Sequence, residues 1–322
     1  MMQYKINLHV TDSCNYHCRY CFAHFGKKKD LPLKSWKKII DNIKNSGTLY
    51  SDSNFRLHST HIENQGANSL IASNGALDIH SEHVENRGRI QSGGSLQGNI
   101  GSLENSGLLG SGGNLQLDLQ RLDNQGTGQL LARGRLSLAV SEAIQQHGRI
   151  EAGGALQLHA PLLANYGTIQ SALTTLRIDG KLDNHGTISA SGTQHITAES
   201  VANQGTLGAG SQQHIDSQSL DNAGLVTAAS LHLKSDTLDN RGDIRQTGSA
   251  GFNIRVADLD NRQGATLGEN RAADHPAPGG QTPATPATPP ATSGGANGSI
   301  TATTLTNSGN IVAGGAVDLA TT

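Results

Sequence analysis

The chain has 322 residues, with 35% hydrophobic and 3% aromatic residues, 40 Gly, 8 Pro and a formal net charge of -2. So small an apolar and aromatic share excludes a conventional thick core and suits a narrow core of small aliphatics on a chain that turns often. The near-neutral balance excludes an electrostatic case for a nucleic-acid partner or an anionic membrane. No run reaches the roughly 18 apolar residues of a transmembrane helix, and the N-terminus lacks the apolar stretch of a signal peptide. Neither an export signal nor an anchor is expected.

The averages conceal a break. Of the ten Lys, eight lie in residues 1–47, and only Lys181 and Lys234 lie beyond. Cys14, Cys18 and Cys21, which are all the cysteines, and six of the ten Tyr, Phe and Trp also fall in that first segment. Downstream, Ala, Gly, Ser, Gln, Asn and Leu dominate. No linker separates the two compositions, because Asn45-Ser46-Gly47 runs directly into Thr48-Leu49-Tyr50.

In chain order, Tyr4 to Val10 alternates as a strand with Ile6, Leu8 and Val10 on one face. A C-x3-C-x2-C loop follows, Cys14-Asn15-Tyr16-His17-Cys18-Arg19-Tyr20-Cys21. Pro32 to Ile43 then reads as an amphipathic helix carrying Leu33, Trp36, Ile39, Ile40 and Ile43. Three closely spaced thiolates suit a [4Fe–4S] cluster with one iron left free of Cys. Zinc is the other metal to weigh; it wants a fourth ligand, for which His17 or His24 would serve. Lys27-Lys28-Lys29 reads as a solvated loop, or as a contact to a nucleotide phosphate in an intact enzyme.

This loop after a first strand resembles radical S-adenosylmethionine (SAM) enzymes, and the string from Asn7 to Phe25 resembles the prokaryotic viperin group, nucleotide dehydratases of antiviral defence. The resemblance implies that Cys14, Cys18 and Cys21 ligate the cluster, that SAM chelates its fourth iron, and that Tyr20 lies near the adenine. It also implies a nucleoside triphosphate substrate and a cytoplasmic enzyme. It covers residues 1–47, one strand and one helix of a barrel that needs several more. The family's Gly-Gly-Glu-Pro segment, which grips the SAM amino group, occurs nowhere downstream. The expectation is therefore a stub without catalysis, and no residue is assigned as catalytic.

From about Asn54 onward the sequence is periodic. The unit reads Leu-Asp-Asn-x-Gly-x-Ile-x-Ala-x-Gly-x-Leu-x-Leu. Its Asn recurs at Asn64, Asn86, Asn105, Asn124, Asn165, Asn184, Asn203, Asn222, Asn240, Asn261 and Asn307, with Gln146 in the place between Asn124 and Asn165. Most intervals are 19 residues, with 18, 21 and 22 as variants. Each unit alternates with period two, as in Gly186-Thr187-Ile188-Ser189-Ala190, so one face of a short strand is buried. Strands this short bury enough only when stacked as rungs about 4.8 Å apart, their Leu, Ile, Val and Ala columns closing one core. At the Asn-x-Gly corner, Gly is expected for positive φ and Asn for left-handed geometry and for amide ladders between rungs. The expected fold is mainly β: a right-handed parallel β-helix of rungs of about 19 residues, preceded by the short strand–Cys loop–helix stub.

The unit resembles the repeats of filamentous haemagglutinin-type proteins, secreted adhesins and the stalks of contact-dependent inhibition toxins. That resemblance covers roughly Asn54 to Thr322 and implies a bacterial surface filament that meets a host or bacterial cell-surface receptor. The family's N-terminal secretion domain and any toxin module are missing, and the chain stops inside a repeat at Val317-Asp318-Leu319, so a fragment is expected. Domain boundaries are expected at 1–47 for the radical SAM unit, 48–271 for the rungs, 272–298 for a Pro/Thr/Gly-rich disordered insertion, and 299–322 for incomplete rungs.

Asp123, Asp183, Asp221, Asp239 and Asp260 share one position beside the corner Asn. Clustered carboxylates could bind Ca²⁺ or hydrolyse polysaccharide, but recurrence at one corner suits a turn cap. The 14 His look scattered, with His58 and His61 at the surface. Two accounts of function stand: a structural, adhesive β-helix fused to the start of a radical SAM domain of different genomic origin, and a radical SAM nucleotide dehydratase using SAM and a [4Fe–4S] cluster.

Overall fold

A computed structural model describes residues 42–269 and 297–321. The described residues are nearly all strand, without a helix, and form a parallel β-solenoid whose turns have roughly 19 residues. The chain divides into two compact units, 1–171 and 172–322, and passes from one to the other within the strand Thr168–Asn184.

A turn of the first unit shows how sequence becomes rung. After the corner comes a strand of four residues, Leu108–Ser111, then a Gly-rich bend, then ten residues, Leu115–Asn124. In the long strand Leu115, Leu117 and Leu119 are buried and alternate with exposed residues. Two consecutive exposed residues, Gln120 and Arg121, then shift the phase, so that Leu122 and Asn124 become the buried pair. A one-residue slip in a strand exchanges its faces, and here that slip bends the strand around the core. The same positions stack in register: Leu77 on Leu96, Leu96 on Leu115 and Leu115 on Leu136, each 1% exposed or less. In-register columns of aliphatics explain how a chain with so few aromatics still builds a dry core.

Longer intervals are absorbed at bends. Asn124 to Gln146 spans 22 residues, and one residue more than in the preceding rung bulges out between Val140 and Ala143, where Arg121 reaches Glu142 at 3.0 Å. In the second unit, Phe252–Asn261 pairs directly with Gly298–Thr301 and Thr304–Asn307, so the stack continues after the Pro/Thr/Gly-rich tract.

Two expectations need correction. The helix read from Pro32 to Ile43 does not reach its end: Asn42 and Ile43 belong to the strand Asn42–Asn45, where Ile43 pairs with Ile62. Residues 32–41 lie outside the described residues. The rungs therefore begin at or before Asn42 rather than at Thr48 or Asn54, because Asn45-Ser46-Gly47 is itself a repeat corner, 19 residues before Asn64. The reason given for the corner glycine was also wrong. Among the corner glycines of the Asn-x-Gly units positive φ occurs at Gly66 alone, the other positive values being at Gly251, Gly264 and Gly268. That position is glycine because the rungs approach closely there: a Cβ on Gly107 would run into the carbonyl oxygen of Gly88, and one on Gly205 into that of Gly186.

Candidate functional site

The residues that carry the expected metal chemistry, Cys14, Cys18, Cys21 and Tyr20, lie outside the described residues, as do His17, His24 and Lys27 to Lys29. Among the described residues no group of three or more His, Cys, Asp or Glu is placed to hold a metal ion. What the described residues offer instead is three kinds of column, each made by stacking one sequence position.

The first is the inner corner column. In the first unit the Asn45 amide donates to Asn64 Oδ1 at 2.8 Å, and Asn64 to Asn86, Asn86 to Asn105 and Asn105 to Asn124 at the same distance. Asn124 then donates to Gln146 Oε1 at 2.7 Å, so the longer Gln side chain continues the ladder. In the second unit Asn184, Asn203, Asn222, Asn240, Asn261 and Asn307 repeat the pattern at 2.7 to 2.9 Å. The remaining amide hydrogen goes to a backbone carbonyl of the next rung, as from Asn86 to Leu108 O at 3.0 Å. The backbone carbonyl of a corner Asn receives one or two N–H groups of the following rung, as Ser106 N and Gly107 N on Asn86 O at 2.9 and 3.0 Å. The amide ladder expected from the sequence is present, and it satisfies a turn that would otherwise bury bare polar groups.

The second column lies one residue earlier and faces outward. Its carboxylates are tied to cations of a neighbouring rung or of their own. Arg241 donates to both oxygens of Asp221 and lies 3.9 Å from Asp239; Arg262 grips Asp239 through Nε and Nη2, both at 2.7 Å, and lies 3.4 Å from Asp260. These hydrogen bonds push both guanidinium groups above their usual range. Asp183 is engaged by Lys181 at 2.9 Å and His185 at 3.2 Å. In the first unit Glu63 and Glu85 occupy the column. Lys44 at 3.2 Å holds the Glu63 carboxyl below its usual range, and Arg87 pairs with Glu85. The Asp position thus carries ion pairs, between rungs at Asp221 and Asp239 and within one rung at Asp183 and Asp260.

The third kind lies on the outward face of the long strands. The histidines that look scattered in the sequence fall into register: His58 on His80, His61 on His83, and His195 on His214 on His232. Ring centroids of His61 and His83 are 4.7 Å apart; along the triplet the separations are 5.1 and 4.7 Å with interplanar angles of 12° and 7°. Burial pushes the His214 imidazole below its ordinary range, and the neighbouring His232 and His195 add to the shift. Beside the triplet, where the strands bend, an open groove carries charges of both signs, with Arg177, Asp216, Lys234 and Arg255 on one lip and Asp179, Glu199 and Asp236 on the other. Lys234 and Asp216 meet at 3.3 Å, and both are more than half exposed, so the pair adds little.

The sequence reading missed two of these features. Asn45 was overlooked because its surroundings are Lys-rich like the N-terminal segment, although its Asn-x-Gly spacing marks it. The stacked histidines leave only their intervals in the sequence, 58/80, 61/83, 195/214 and 214/232 being separated by one rung length each.

No model of a known protein family matches the chain, and no solved structure matches it. Two curated relatives do. An S-adenosylmethionine-dependent nucleotide dehydratase of Selenomonas ruminantium is 60% identical over 48 residues, 15% of this chain and 18% of that protein. A second protein of that name, from a Fibrobacter species, is 44% identical over 41 residues, 12% of this chain and 12% of its own length. The chain thus spans less than a fifth of the length of the curated relatives it matches. Among the described residues no helix is long and apolar enough to cross a membrane. A short N-terminal segment is homologous to SAM-dependent nucleotide dehydratases of the viperin-like kind, and the described residues form a parallel β-solenoid consistent with haemagglutinin-type repeats.

Proposed function

We propose that this chain is a structural, adhesive β-solenoid of haemagglutinin-repeat type, working at the cell surface against a host or bacterial receptor. It is joined to a radical SAM segment that does not catalyse on its own. The observation that carries this reading is the corner column. From Asn45 to Gln146 and again from Asn184 to Asn307 the corner amides are committed to the next rung, so among the described residues no strand is left over to complete a SAM barrel around a cluster. The carboxylates Asp221 and Asp239 support the same view, since they are engaged in ion pairs between rungs. A single nucleic-acid read across codons 40 to 60 tests the joining. An unbroken read supports it, and a break near Gly47 returns the two halves to separate proteins. Retention of whole cells on the immobilised, purified chain tests adhesion, with no retention above a bare surface as the contrary result.

A second reading is favoured by the 60% identity to a SAM-dependent nucleotide dehydratase. In it Cys14, Cys18 and Cys21 hold a [4Fe–4S] cluster, Tyr20 lies near the SAM adenine, and a nucleoside triphosphate is dehydrated. The cluster supplies the electron that cleaves SAM in such enzymes. After anaerobic reconstitution with iron and sulfide, reduction in the presence of SAM would release 5′-deoxyadenosine, and Cys18→Ala would abolish it. Under the first reading the two proteins release the same background amount.

A further inference from the structure

We propose that the stack of His195, His214 and His232 is an acid-sensitive joint: on mild acidification the strands Gln194–Asn203, Thr206–Asn222 and Leu225–Asn240 open locally while the other rungs hold. Parallel in-register pairing leaves these rings no alternative to facing one another, because rung spacing fixes their separation at about 4.8 Å. Neutral imidazoles stack well at the observed 5.1 and 4.7 Å, whereas imidazolium ions would set like charges face to face.

The surroundings do not offset that charge. The column is continued by neutral Thr175 on one side and neutral Asn253 on the other. Along the strands the rings meet neutral groups, Gln212 Oε1 at 3.3 Å from His214 Nε2 and Ser230 Oγ at 3.2 Å from His232 Nε2. The next outward column holds Arg177, Thr197, Asp216, Lys234 and Arg255, three cations to one carboxylate, and Lys234 already engages that carboxylate. Asp179, Glu199 and Asp236 lie beyond the bend, on the far lip of the groove. The first unit makes the contrast. There His61 has Glu63 at 3.3 Å and His80 has Asp78 at 3.1 Å, so a proton gained on either ring meets a carboxylate.

A second, independent weakness lies directly beneath. Gln194 and Gln213 precede His195 and His214, pair in register, are 0% exposed, and both ends of both amides lack a hydrogen-bond partner among the described residues. The same column is Leu in Leu77, Leu96, Leu115, Leu136 and Leu156 of the first unit. Opening these rungs rehydrates both amides at the moment it frees the imidazoles to take protons.

The direction follows from linkage. His214 is held below its ordinary value of 6.5 in the folded chain. The opened form therefore binds protons that the stacked form refuses, and the stabilisation is complete above about pH 6.5. It is lost as pH falls from there toward the folded value, and each proton taken up on opening raises the open population by up to about tenfold per pH unit.

Hydrogen exchange read by mass spectrometry on the full chain, from about pH 7.5 to about pH 5 and corrected for the intrinsic rate, tests the joint. Protection in segments 194–198, 213–217 and 231–235 should fall about tenfold or more, while 58–62, 80–84 and 252–256 hold. His214→Asn should flatten the response, and Asn already fits this column as Asn253. A triple replacement of His195, His214 and His232 by Asn should remove it. An unchanged profile, a loss of protection spread evenly over every segment, or a triple variant that loses as much protection as the unsubstituted chain would each overturn the proposal.

Discussion

Two columns of buried carboxamides run through residues 172–322, and they have opposite fates. Asn184, Asn203, Asn222, Asn240 and Asn261 are 1% exposed or less and hydrogen-bonded from rung to rung. Gln194 and Gln213 are equally buried and find nothing. Side-chain chemistry and burial match, so position makes the difference. At a corner the chain leaves the strand ladder, and carbonyls such as Thr206 O, Leu225 O and Asp243 O face the core within reach of an amide. Gln194 opens its strand and Gln213 lies within the strand Thr206–Asn222, where the backbone serves the ladder; their register neighbours are Thr174, each other and Leu231, and no carbonyl turns toward either amide. A polar residue is therefore worth its burial in a solenoid only where the backbone turns.

The sharpest way to break the satisfied column is through its spacing. Gly205→Ala would drive a Cβ into the Gly186 carbonyl and the backbone of His185, and neither is a flexible side-chain end. The clash should destabilise by about 3 kcal/mol, read as a lower urea midpoint of unfolding. Gly208→Ala, whose Cβ would come no nearer than 3.8 Å to any atom among the described residues, should be nearly silent.

Asn203→Ala removes the ladder's middle. It strands Asn222 Oδ1 and the Leu225 carbonyl, which now accept from Asn203 at 2.8 and 3.2 Å, and takes away the acceptor of Asn184. Leaving buried groups unpaired should cost about 2–3 kcal/mol by the same measurement. Asn203→Gln is the informative companion. Gln146 shows that the corner admits the longer amide where the preceding interval is 22 residues.

The unsatisfied column predicts the opposite sign. Replacing Gln194 and Gln213 together by Leu should stabilise by about 1–2 kcal/mol, since Leu231 sits next in the same column and is 0% exposed. A lower midpoint would mean that the two amides are better placed than their contacts show.

How much of this was legible in the sequence depends on what a residue's role requires. The alternation of Ile188 with Ser189, or of Leu156 with Gln157, reads directly as a half-buried strand. The Asn period reads as a rung because a ladder needs only one position repeated. The reason for the corner Gly did not read, because φ is a local property and the decisive contact is with a carbonyl 19 residues earlier. Nor did the histidine stacks, although their intervals were in view. Register turns an interval into a contact only once the rung is fixed, and the bulge at Ser141–Glu142 shows that one residue can displace it. The thiolate loop is a different case: Cys14, Cys18 and Cys21 are local in sequence, so their spacing alone raises the expectation of a metal site, and a short stretch of homology to SAM-dependent nucleotide dehydratases stands beside it.

The outward face of the same corner gives the smallest effect and the clearest limit on the comparison. Arg262 makes two 2.7 Å bonds to Asp239 and stands 3.4 Å from Asp260, which by geometry is the best ion pair in the second unit. Yet its side chain is 52% exposed, and those of Asp239 and Asp260 are 32% and 43% exposed. Water already solvates most of that charge, and salt screens the rest. Arg262→Ala should therefore cost less than about 1 kcal/mol, and the loss should shrink further in molar salt. Asn203→Ala should keep its cost at any ionic strength. If Arg262→Ala matched Asn203→Ala, the corner would be held from outside, and the contrast between satisfied and unsatisfied amides would lose its claim to explain where this solenoid is strong.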